Sequence, residues 1–158
     1  MDNTSKRCAR EVLDTVPLVM RFIRDQVRQH RASELSLPQF RALIFLSRTK
    51  NSSLSAVAEH LGLSLPAMSR LINGLVNDRL VGRELVLANR RQIALTLTNR
   101  GQAALEKARN EIRLRLAESL KSIPATQQKT VQRAMQVLHK VFDNQASTGN
   151  TSSKAKPS

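Results

Sequence analysis

A short stretch in the middle of the chain carries side chains whose types suit contact with base edges in duplex DNA. The outward positions of "GLSLPAMSRLINGL" are occupied by Ser64, Leu65, Pro66, Ser69, Arg70 and Asn73. An arginine can donate two hydrogen bonds to O6 and N7 of guanine, and an asparagine can pair with the edge of adenine. These six residues are therefore candidates for reading bases in the major groove.

A tight corner must present these groups. Ala58 supplies the small residue that two short crossing helices need, and Gly62 suits a turn with positive φ. Met68 would fill the inner angle, while Ser64 can cap the second helix with Pro66 in its first turn. The spacing predicts a helix-turn-helix, whose second helix enters the major groove by its N-terminal end.

After this pair of helices, the sequence pattern changes from one typical of helices to one typical of strands. Residues 84–87 and 92–97 have the composition of strands, and the polar "ANRR" between them has the length of a hairpin tip. A helix-turn-helix followed by a hairpin is a winged helix, and arginines at the tip can lie along or enter the minor groove. Asn89, Arg90 and Arg91 are the candidate wing contacts.

Apolar residues at helical spacing predict further helices on both sides, so the fold class is mostly α with a small β wing. Pro17 predicts either a kink in the first helix or a later start near Thr15. Thr98 can cap a long helix, and Pro124 ends it and opens another. Four segments result: 10–36, an N-terminal helix; 37–98, the winged helix-turn-helix DNA-binding domain; 99–144, C-terminal helices; and 145–158, a disordered tail.

Composition favours duplex DNA as the partner. The 158 residues include 26 Lys and Arg against 12 Asp and Glu, a net charge of +14, which attracts a polyanion. With neither Trp nor Tyr, the chain has few rings for stacking unpaired bases. A single cysteine, no long apolar run and no signal-peptide core favour the cytoplasm and no membrane contact.

Catalysis has little support in the sequence. The three histidines are far apart, and none has a second histidine or cysteine at the spacing of metal ligands. We therefore expect no enzyme activity, no metal site and no cofactor.

The helix order, the wing and the motif "LTLTNRGQAALEKA" together resemble MarR-type transcriptional regulators, from about Val12 to Phe142. The strongest marks are the helix-turn-helix, the wing of matching length, and Leu97, Thr98 and Gly101 at the start of the long helix. The resemblance implies a homodimer with interlocked terminal helices, so that 10–36 is expected to be an N-terminal dimerisation helix and 99–144 to be C-terminal dimerisation helices. The broad apolar faces of those helices agree, because the winged helix is too small to cover them.

The resemblance also implies roles for individual residues. The family's wing has an Asp-x-Arg, which corresponds here to Asn89 and Arg91. Arg91 is therefore expected to enter the minor groove with the neutral Asn89 in place of the family's carboxylate. Arg90 is expected to contact phosphates. Cys8 is expected before the main helix, as an incidental thiol. Members often bind small anionic aromatic effectors between the dimer helices and the winged helix, where four arginines could face an acid: Arg21, Arg24, Arg28 and Arg41.

The favoured function is a sequence-specific regulator, most simply a repressor, at a pseudo-palindromic operator. One alternative is an architectural protein that coats DNA with low specificity, and another is a winged-helix scaffold for protein interaction. The ratio of operator to random-duplex affinity distinguishes the first two. Absence of DNA affinity would leave the scaffold for protein interaction.

Overall fold

The computed structural model describes residues 3–29, 35–85 and 93–149. Within them the chain forms six helices and one antiparallel pair of strands. In chain order these are α1 Asn3–Gln29, α2 Leu37–Arg48, α3 Leu54–Leu61, α4 Leu65–Asn77, β1 Val81–Leu85, β2 Ile93–Leu97, α5 Asn99–Leu120 and α6 Ala125–Gly149. The chain divides into two compact units, 1–115 and 116–158.

Helix α1 runs without a break through Pro17. A proline inside a helix removes only one backbone hydrogen bond, so the predicted later start near Thr15 is wrong. The placement of Cys8 before the main helix is wrong for the same reason, because Cys8 lies within α1 and is exposed. Of the apolar side chains of α1, Val27 is buried against the rest of the first unit.

The core of the first unit lies among the helices and the sheet. Its largest fully buried side chains come from α2 to α5 and β2: Leu43, Met68, Ile72, Leu75, Leu95, Leu105 and Val57. Helix α2 begins after Ser36, whose hydroxyl accepts from the backbone N–H of Gln39, while the Gln39 side chain accepts from the backbone N–H of Ser36. This reciprocal pair fixes the start of α2.

Strand β1 begins earlier than predicted, whereas β2 ends at Leu97 as predicted. Strand β1 starts at Val81, which pairs with Leu97, so the hairpin extends back to the end of the helix-turn-helix. Residues 86–92 lie outside the described part of the chain, and with them the predicted tip. On the other edge, Ser52 exchanges backbone hydrogen bonds with Leu95, which ties the segment before α3 to the wing.

The second unit contains the end of α5 and all of α6. The side-chain amide of Gln128 donates to the backbone carbonyls of Leu120 and Ile123, which closes the turn between the two helices. Helix α6 continues to Gly149, past the predicted boundary at 144, because this polar segment contains no proline to end it. None of the helices described is long and apolar enough to cross a membrane.

Candidate nucleic-acid interface

The turn between α3 and α4 has the predicted geometry. Gly62 ends α3 with φ 69° and ψ 35°, a left-handed conformation in which a side chain would be strained. The carbonyl of Ala58 accepts from the backbone N–H of Leu63 at 3.0 Å, which closes the turn, and the Ala58 side chain is buried. The small residue and the glycine therefore set the angle at which α4 leaves the core.

Helix α4 is capped by Ser64, whose hydroxyl accepts from the backbone N–H of Ala67. The inner face is formed by Met68, Ile72 and Leu75, all fully buried. Ile72 belongs to the core, whereas its neighbour Leu71 is only half-buried. Because these three buried side chains lie at helical spacing, they fix the rotation of α4 about its axis, and the opposite face must point outward.

That opposite face carries the predicted base-reading residues. Ser64, Leu65, Pro66, Arg70 and Asn73 are exposed and Ser69 is half-buried. Leu65 is 51% exposed, so its side chain is accessible to a partner that approaches this face. Among the described residues Arg70 forms no ion pair, so its guanidinium is available to a partner. The helix thus brings all six predicted residues to one exposed surface around its first three turns.

One contact on this surface was not predicted. The Nη2 group of Arg83, on β1, donates a hydrogen bond to Oδ1 of Asn73, on α4. No local sequence signal pairs residues in different elements. The alternation of the strand could have shown only that Arg83 shares a face with Val81, which packs toward the core.

The wing begins at this surface. Antiparallel pairing runs from Val81 with Leu97 to Leu85 with Ile93, so the strands project away from the core beside α4. The predicted contacts Asn89, Arg90 and Arg91 lie outside the described residues. Their proposed roles therefore stay predictions.

A joint behind the wing connects α4, β1 and α5. The Thr98 hydroxyl donates to the Arg79 carbonyl at 2.7 Å and accepts from the backbone N–H of Gly101 at 3.0 Å. The Leu80 carbonyl accepts from the backbone N–H of Thr98 at 3.1 Å. A Cβ built on Gly101 would lie 2.0 Å from that Leu80 carbonyl oxygen. Residue 101 must therefore be glycine for the helix and the wing to meet in this way.

The first unit also contains a cavity of about 620 Å³. Its apolar lining is formed by Met20, Ile23, Leu37, Phe40, Ile44 and Ile112. Five arginines line it as well: Arg24, Arg41, Arg48, Arg109 and Arg113. Of the four arginines predicted to face an acid, Arg24 and Arg41 line the cavity, and Arg21 and Arg28 do not.

The charges around this cavity are unevenly compensated. Glu106 pairs with Arg109 at 2.9 Å and more loosely with Arg113 at 3.9 Å. Within the described part of the chain, Arg24, Arg41 and Arg48 have no carboxylate within ion-pair distance. An apolar cavity that is also lined by uncompensated arginines can accept a small molecule that has a ring and an acid group.

An exposed helix with a glycine turn behind it and a hairpin beside it defines a winged helix-turn-helix protein. Residues 33–92 match the family model described as "MarR family". The HTH-type transcriptional repressor Rv2887 of Mycobacterium tuberculosis is 30% identical over 104 residues, which cover 66% of this chain and 75% of that protein. The chain belongs to the MarR family of transcriptional regulators.

Solved structures agree with this fold. The chain resembles RV1404 of Mycobacterium tuberculosis with a TM-score of 0.70 and 21% identity, over 90% of this chain and 97% of that one. Two structures of the M. tuberculosis MarR family protein Rv2887, one complexed with DNA and one with salicylic acid, each have a TM-score of 0.62 and 27% identity. They cover 78% of this chain, and 94% and 93% of the relative's chain.

Proposed function

We propose that the chain is a cytoplasmic homodimeric repressor that binds a pseudo-palindromic operator and is released by a small aromatic acid. The observation that carries the proposal is the exposed face of α4, held by the Gly62 turn with Arg70 unpaired among the described residues. The DNA complex of Rv2887 supports it, because that protein shares this fold and family.

Helix α4 would enter the major groove by its N-terminal end. Arg70 is the candidate for a bidentate bond to guanine, and the exposed Leu65 can contact a thymine methyl group. The oxygen of Ser64 is used in capping, so its O–H remains for a phosphate. Pro66 and Ser69 complete the proposed contact surface. At the wing, we propose that Arg91 enters the minor groove and that Arg90 meets phosphates.

Apolar surface on the terminal helices supports the dimer. Helix α1 exposes large side chains along its length, among them Leu13 at 73% and Leu18 at 56%. Helix α6 independently exposes Met135, Val137 and Phe142. Exposed apolar surface of this extent is typical of an interface, and a second copy is the partner that the family implies. We therefore propose that 10–36 and 99–144 are the dimerisation segments.

The direct test is binding to fragments selected from the source genome. We expect the operator so found to bind at least 10³-fold more tightly than random duplex at physiological salt, with two chains per operator. Fluorescence anisotropy gives the affinities, and analytical ultracentrifugation gives the stoichiometry.

Each contrary result identifies a different function. Equal affinity for operator and random duplex would indicate an architectural protein. No affinity for either would leave the interaction scaffold, and one chain per operator would overturn the homodimer.

The cavity is the proposed effector site. Salicylic acid is a suitable probe, because the Rv2887 structure contains it and because the cavity combines an apolar lining with unpaired arginines. Arg41→Ala removes one of these charges and should weaken salicylate binding by about tenfold, which corresponds to roughly 1.4 kcal/mol. Isothermal titration calorimetry measures the change.

Arg28→Ala is the matched control for this prediction. Arg28 is an exposed arginine of α1 that does not line the cavity, so its removal should leave salicylate affinity unchanged. Equal weakening by both variants would mean that salicylate responds only to net charge. The cavity would then not be the effector site.

A further inference from the structure

Arg83 reaches the recognition surface from the wing. It is exposed near the middle of β1, opposite the buried Leu95, and its guanidinium donates to Oδ1 of Asn73 on α4. Side chains alternate along a strand, so the neighbouring Glu84 lies on the other face of the sheet. Arg83 therefore lies against α4, while the nearest acid in the sequence is directed away.

The contact orients the amide of Asn73. A side-chain amide has one oxygen acceptor and two N–H donors, and pairing with adenine uses the oxygen and the nitrogen together. Here the oxygen already accepts from a cation, so an adenine amino group would have to approach next to a positive charge. This arrangement disfavours adenine recognition by Asn73, the role that the residue type alone had suggested.

The same contact orients the guanidinium of Arg83 and leaves its charge uncompensated. A guanidinium has five N–H donors, and Asn73 takes one of them. Among the described residues no carboxylate lies within ion-pair distance of Arg83. Because Asn73 is neutral, it holds the guanidinium without reducing its charge, which a carboxylate would do. The held group can therefore bind an anion with its full charge.

We infer that Arg83 binds a phosphate of the DNA backbone and that Asn73 is its positioning residue, joining the wing strand to the recognition helix. The inference rests on the proposed DNA-binding function and adds a contact to it. A phosphate fits better than a base edge, because Arg83 lies on the strand and not on the helix face that carries Arg70. Such a contact adds affinity independent of sequence.

A salt titration on random-sequence duplex tests this assignment. Arg83→Ala should lower the affinity by about fivefold and should reduce the magnitude of the slope of log K against log salt by about 0.9 for each subunit bound, the value for one phosphate. Asn73→Ala should weaken binding by about threefold and leave the slope unchanged, because the charge remains but is no longer held. The double variant should bind no more weakly than Arg83→Ala alone.

Two further variants separate charge from geometry. Asn73→Asp should also lower the slope, because its carboxylate would pair with Arg83. Arg7→Ala removes one exposed charge from the start of α1 and should leave the slope unchanged. Thermal unfolding of every variant establishes that each is folded.

The outcomes distinguish the inference from the proposed function. If the unmodified protein binds no duplex, the proposed function fails and the inference fails with it. If that protein binds duplex but Arg83→Ala keeps its slope, the phosphate contact alone is wrong. If Asn73→Ala has no effect on random duplex but weakens operator binding additively with Arg83→Ala, Asn73 reads a base and is not a positioning residue.

Discussion

Gly101→Ala should lower the free energy of unfolding by about 3 kcal/mol, near the upper end for overpacking a tight contact. The added methyl group would lie 2.0 Å from the Leu80 carbonyl oxygen and 2.8 Å from a methyl carbon of Leu97. Backbone cannot move aside as a flexible side chain can, because this carbonyl also accepts from the N–H of Thr98. Alanine gains only about 1 kcal/mol over glycine in a helix, so the clash dominates.

Gly74→Ala is the matched control and should have the opposite sign. Gly74 also lies within a helix, but a Cβ there would meet nothing closer than the Gln39 side-chain nitrogen at 4.0 Å. Relief of the glycine penalty should then raise the free energy of unfolding by about 0.5–1 kcal/mol. Urea denaturation followed by circular dichroism measures both variants. If Gly101→Ala is as stable as the unmodified protein, the joint between α5 and Leu80 is looser than the structure indicates.

The corner of the helix-turn-helix could be predicted from the sequence because its signals are local. A glycine at a positive-φ position, a serine at the cap and a proline in the first turn each act within a few residues. Gly62, Ser64 and Pro66 all lie where those rules place them. The exposed face of α4 follows from the same rules once the inner face is known.

Contacts between distant elements could not be predicted in this way. The pairing of Arg83 with Asn73 depends on the distance between β1 and α4, which no local pattern specifies. The start of β1 was missed because Val81 and Gly82 become a strand only by pairing with β2. Gly101 was recognised as part of a motif, but its reason, the nearby Leu80 carbonyl, is a tertiary contact.

The cavity could also be predicted from the sequence only in part. Basic residues of α1 and α2 were identifiable as candidates, but helical periodicity does not say which side of α1 faces α2. The structure places Arg24 and Arg41 at the cavity and adds Arg109 from α5, some seventy positions further along the chain. A ligand site built from several helices is thus visible in sequence only as a surplus of charge.

Arg70→Ala should weaken operator binding by about 1–3 kcal/mol for each half-site, the value of one bidentate base contact. Arg70 is exposed on α4, and no carboxylate among the described residues pairs with it. Its guanidinium therefore reaches the groove without first breaking an ion pair. Binding to random duplex should fall much less, so the ratio of operator to random affinity should narrow.

Arg70→Lys separates the effect of the bidentate hydrogen bonds from that of the positive charge. Lysine keeps the positive charge but cannot form the same planar pair of bonds to guanine. We expect Arg70→Lys to restore the affinity for random duplex, while the ratio of operator to random-duplex affinity stays low. Fluorescence anisotropy at one stated salt concentration measures both affinities. If Arg70→Lys recovers operator binding completely, or if Arg70→Ala lowers both affinities by the same factor, Arg70 binds a phosphate. The bases would then be read by Leu65 and its neighbours at the start of α4.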